Sequence, residues 1–93
     1  MEEKFIDAWL DCRKKAEAAG VRLRPLERAD ALHQAHRALS GTRESDGFSQ
    51  LLAKGLLKYS LEALAVDRRF TGLFSDEEAN NALSRLMEAG YYL

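Results

Sequence analysis

From Phe48 to Val66 the chain reads FSQLLAKGLLKYSLEALAV, and on a helical wheel its apolar side chains run almost all the way round. Phe48, Leu51, Leu52, Leu56, Leu57, Tyr59, Leu61, Leu64 and Val66 leave one narrow polar stripe. That stripe is Gln50, Lys54, Lys58 and Glu62, at intervals of four. A helix of this kind must be covered by neighbours on several sides. The pattern therefore predicts a helix over 47–66 as the central element of the fold, or one that also meets a partner molecule.

The remaining elements follow from the same periodicity. A first helix is predicted over 2–19, where Phe5, Trp9, Cys12, Ala16 and Ala19 recur at spacings of four and three and Gly20 supplies the left-handed stop. A second is predicted over 25–39, starting at Pro25, whose missing donor costs nothing at the first helical position. The polar run SGTRESDG then reads as a loop, with Ser45 or Asp46 capping the third helix. A fourth helix is predicted over 76–89. SDEE at 75–78 is a capping box, Ala79, Ala82, Leu83 and Leu86 form the buried stripe, and Gly90 ends it. Leu (15) and Ala (14) far outnumber Ile, Val and Thr (five together), which favours helix over strand. With 93 residues only one core is available, so the expected fold is all-α: a compact four-helix bundle with orthogonal or irregular packing around the third helix.

Charge narrows the function. Fourteen basic and fifteen acidic side chains give a net charge of −1, whereas a duplex-binding protein usually carries a clear positive excess. Cys12 is the sole cysteine, which excludes an intramolecular disulfide and suits a reducing compartment. MEEKFIDAWL has no positive leader ahead of an apolar run, and the 48–66 region is interrupted by Lys54, Lys58 and Glu62, so no membrane span is expected. The expectation is a cytoplasmic protein.

The stretch DRRFTGLFSDEE, residues 67–78, has the outline of a calcium loop: Asp67 first, Gly72 sixth, Glu78 twelfth. Arg69 and Thr71 stand at the third and fifth places, where carboxylates are needed, and Glu78 is already employed by the capping box. The calcium reading fails. The connection instead carries Phe70, Leu73 and Phe74, which must either tuck under the bundle or meet something. Together with Tyr91 and Tyr92 they form the expected interaction patch, because clustered exposed aromatics mark contact sites.

Residues 16–29, AEAAGVRLRPLERA, give the runner-up. Ala16, Glu17, Ala19, Gly20, Val21 and Leu26 resemble the helix-turn-helix of lactose-repressor-type DNA-binding proteins. The resemblance implies an alanine packed between two helices, a glycine turn and a second helix in the major groove, with Arg22, Arg24 and Arg28 as nucleic-acid contacts. Residues 13–28 hold six basic side chains against two acidic. The sequence departs from that pattern at Lys15, where the motif has an apolar residue, and at Leu23 and Pro25, where it has polar ones.

Cys12, His33 and His36, with Asp30 adjacent, could supply zinc ligands, but structural zinc sites use two close-spaced pairs and here there is one. They are read as packing residues, with no metal and no cofactor. No nucleophile elbow, phosphate-cradling loop or metalloprotease pair occurs. The reading is a non-enzymatic protein–protein interaction module that self-associates, with nucleic-acid binding through residues 13–28 as the alternative.

Overall fold

The computed structural model describes residues 1–91. Among the described residues there are five α-helices: α1 (Glu2–Ala18), α2 (Ala31–Ser40), α3 (Phe48–Lys54), α4 (Leu61–Ala65) and α5 (Asp76–Glu88). Short 3-10 turns stand at Arg28–Asp30, Leu57–Tyr59 and Arg68–Phe70. No strand occurs among the described residues.

The largest correction concerns the predicted 47–66 helix, which is two helices. Gly55 adopts φ 71°, and Leu56 N–H bonds back to the Leu51 carbonyl at 2.8 Å, closing α3 with a glycine cap. The chain turns through Leu57–Tyr59, and Ser60 restarts it as α4 by accepting the Ala63 N–H at 3.1 Å. A single rod apolar on every side would need more neighbours than 93 residues can supply. Broken in two, its leucines reach separate parts of the core. Ser45 and Asp46 do not cap α3 by side chain; Gly47 holds that position at φ 80°.

The predicted second helix also starts late. Residues 21–27 have no regular structure, and α2 begins at Ala31 rather than at Pro25. Side chains from elsewhere take up the backbone groups of this strap. Gln50 accepts the Arg22 N–H at 3.0 Å, Asp46 accepts the Arg24 N–H at 2.7 Å, and Arg13 donates to the Arg24 carbonyl. Val21 is buried, and Leu23 and Leu26 pack at its two ends against different clusters.

Two clusters make the core. In the first, Phe5 lies 5.1 Å from Phe74 and 5.3 Å from Phe70, both edge-on, with Trp9, Leu39, Leu61 and Leu64 around them. In the second, Phe48, Leu51, Leu57 and Leu86 enclose Ala16 and Val21. Helix α5 packs against both α2 and α4 and joins the clusters through Ala82 and Leu86. Its buried side differs from the predicted stripe: Glu78 and Arg85 are inside, Ala79 is half-buried and Leu83 is exposed. The capping box is present as read, with Glu78 N–H on Ser75 Oγ at 3.1 Å and Ser75 N–H on Glu78 Oε1 at 2.8 Å.

Candidate functional site

Glu62, placed by its spacing on the narrow polar stripe of the 48–66 run, is fully buried. Its carboxylate accepts the Ser45 N–H at 2.8 Å, the Ser45 hydroxyl at 2.5 Å and Arg85 Nη1 at 3.1 Å. Arg85 donates onward to the carbonyls of Ala38 (3.2 Å) and Gly41 (2.7 Å). A buried charge left alone is very costly, so each group here needs the other. The node fastens the 41–46 loop to α4 and α5. Its hydrogen bonds tie three separate parts of the chain together, and the arrangement reads as a clamp.

A second polar contact joins α2 to the start of α5. His36 Nδ1 meets Glu78 Oε2 at 2.7 Å, and the Ser40 hydroxyl donates to the same oxygen at 3.4 Å. Burial pushes the Glu78 carboxyl up, but the Ser75 N–H and the His36 ring together outweigh it and hold the group below the ordinary glutamate range. The His36 ring lies 5.0 Å from Phe74. His33 is exposed, and Cys12 is half-buried, its thiol pushed up by burial. Among the described residues no three His, Cys, Asp or Glu side chains come close enough to hold a metal ion.

An open cleft of about 680 Å³ lies between the 21–27 strap, α2 and the 41–46 loop, over Trp9, Leu51 and Leu61. Arg13, Arg24, Arg37 and Arg43 line it together with Glu27, Asp30, Glu44 and Asp46. With four charges of each sign, the lining carries no net formal charge.

The predicted site residues are scattered. Phe70 (2 % exposed) and Phe74 (8 %) belong to the core, and this corrects their reading as surface anchors. Phe5 supplies the ring they pack on. Leu73 and Tyr91 are half-buried, Leu73 against the first cluster and Tyr91 against the second. Tyr92 lies outside the described residues. Arg22, Arg24 and Arg28 are exposed, but on the strap and a 3-10 turn, so the second helix of the helix-turn-helix resemblance is not formed there. Arg28 is paired with Asp7 at 2.7 Å. In the 67–78 loop Arg69 grips Asp67 through Nε at 3.1 Å and Nη2 at 3.2 Å, occupying the first position of the supposed calcium loop.

Exposed apolar side chains do occur, among them Leu83 of the predicted buried stripe. Leu83 (39 % exposed) and Met87 (54 %) stand one turn apart on the outer flank of α5, and Leu52 is exposed on α3. Among the described residues no helix is long and apolar enough to cross a membrane. In sequence and in shape the chain matches no protein-family model, no curated protein and no solved structure.

Proposed function

We propose that this chain is a non-catalytic protein-interaction module that associates with a copy of itself. The observation that carries the reading is the pair Leu83 and Met87, four residues apart on the outer flank of α5 and open to solvent. A thirteen-residue helix that buries one side against α2 and α4 and keeps a leucine and a methionine on the other has apolar surface to cover. Methionine is well suited to such a contact because its flexible thioether fits surfaces of varied shape. Two copies meeting flank to flank through a two-fold axis bury both pairs at once.

Sedimentation equilibrium over a range of concentrations tests the reading. The expected result is a concentration-dependent dimer that Leu83→Glu and Met87→Glu convert to monomer with helicity intact. A wild-type chain that stays monomeric at high concentration overturns it.

A further inference from the structure

The connection from α2 to α3 ends on Asp46 and Gly47, the single Asp–Gly step in a sequence that holds no Asn–Gly. Phe48 N–H bonds back to the Ser45 carbonyl at 3.1 Å, and Gly47, at φ 80° and ψ −3°, fills the third place of that turn. Among the described residues the Gly47 N–H donates to no acceptor. Asp46 is exposed and Gly47 half-buried, so water reaches the step. One carboxyl oxygen of Asp46 accepts the Arg24 N–H at 2.7 Å, which ties the step to the 21–27 strap. The points on either side are held closely. Ser45 donates its N–H (2.8 Å) and its hydroxyl (2.5 Å) to Glu62, and a carbon added to Gly47 would stand 2.5 Å from Leu23 Cδ2.

We propose that Asp46–Gly47 is a site of covalent self-modification, which converts to isoaspartate at a rate set by opening of the strap. The Gly47 nitrogen attacks Asp46 Cγ and closes a five-membered succinimide. The amide proton and one solvent proton leave with a carboxyl oxygen as water. Glycine suits this step because no side chain crowds the attacking nitrogen. Water then adds to the ring. Breaking the bond from the nitrogen to the old main-chain carbonyl leaves the chain running through Cβ and Cγ, with a free carboxylate on Cα and the mass unchanged. Closure needs a carboxyl group free to turn onto the nitrogen, and the Arg24 N–H holds it elsewhere. Local opening of the strap frees it, so the reaction samples that opening. The product carries one more chain atom between Ser45 and Gly47. The close contacts on both sides leave no slack for it, so the bond to Arg24 is not remade. The Leu83 and Met87 flank takes no part, and self-association and this modification can fail independently.

Prolonged incubation of the full chain at neutral pH and physiological temperature is the test. Labelling with an isoaspartate-specific methyltransferase, followed by peptide mapping, locates and counts the product. Isoaspartate is expected at position 46, forming several-fold more slowly in the folded chain than in the same chain unfolded in guanidinium chloride. Arg13 donates to the Arg24 carbonyl and Gln50 accepts the Arg22 N–H, so Arg13→Ala/Gln50→Ala loosens the strap and brings the rate towards the unfolded one. Circular dichroism checks that this variant keeps its helices. Asp46→Glu, which would need a six-membered ring, stops the reaction, and Asp46→Asn, which loses ammonia instead of water, converts many-fold faster. Trypsin cuts the isomerised fraction after Arg22 several-fold faster than the unmodified chain. The proposal is overturned if the folded chain forms no isoaspartate at position 46, or if folded, loosened and unfolded chains convert at one rate. Equal cutting after Arg22 in the modified and unmodified fractions also overturns it.

Discussion

The carboxylate of Glu62 and the guanidinium of Arg85 meet at 3.1 Å inside the molecule, one fully buried and the other nearly so. The pair lies between α4 and α5, and its spare hydrogen-bonding capacity is spent on Ser45, Ala38 and Gly41. Removing one member leaves the other charge buried without compensation. Glu62→Ala is expected to cost about 3–5 kcal/mol, a large share of the total stability of a domain this size. Urea denaturation followed by circular dichroism measures it. Replacing both members with apolar residues is expected to cost much less than either single change.

Phe70 and Phe74 separate packing from partner binding. Each closes against Phe5, so Phe70→Ala and Phe74→Ala are expected to lose about 3–5 kcal/mol of stability. Leu83→Glu and Met87→Glu, on exposed positions, should leave the unfolding midpoint of the monomer within about 0.5 kcal/mol of wild type. Thermal or urea unfolding of the four variants under monomeric conditions sorts them.

Glycines 47 and 55 both adopt positive φ, at 80° and 71°, yet they should not respond alike to alanine. Around Gly55 nothing lies within 4 Å of an added Cβ, so Gly55→Ala meets only backbone strain of about 1–2 kcal/mol. At Gly47 the new carbon would stand 2.5 Å from Leu23 Cδ2 and 3.2 Å from Val21 Cγ1. Gly47→Ala is therefore the more damaging of the two, and the difference in unfolding midpoint measures how tightly the strap is held.

The Glu78 carboxyl is held below its ordinary range in the folded chain, so it contributes stability that is present above that range. As pH falls through the folded value the proton binds, the bonds to Ser75 N–H and His36 weaken, and the contribution is lost. Stability of the wild type is expected to fall with decreasing pH across the acid range. In Glu78→Gln the slope over that window should be shallower, as urea midpoints taken at successive pH values would record.

Local signals in the sequence were legible wherever the responsible groups are neighbours along the chain. Gly20 stopping α1 and the Ser75–Glu78 capping box depend on residues within one turn, and both stand as read. The break at Gly55 was also written locally, but a run of leucines on either side outweighed a single glycine in the periodicity. What could not be read was anything set by long-range contact. The strap at 21–27 stays out of helix because Gln50 and Asp46, more than twenty residues away, take its amides. Glu62 looked solvated because its partner, Arg85, is twenty-three positions further on. An arginine three places beyond Ala82, on the buried side of α5, was the one available hint.

The loop after α2 is moored at two places, by Arg85 on the Gly41 carbonyl and by Glu62 on Ser45, while Thr42, Arg43 and Glu44 between them are exposed. Extra length added there only lengthens a slack rope, and the entropy of a longer loop grows slowly. Shortening it by even one residue would drag on both moorings at once. Residues 42–44 are thus the natural place to graft a reporter peptide or a fluorophore without disturbing the rest of the molecule.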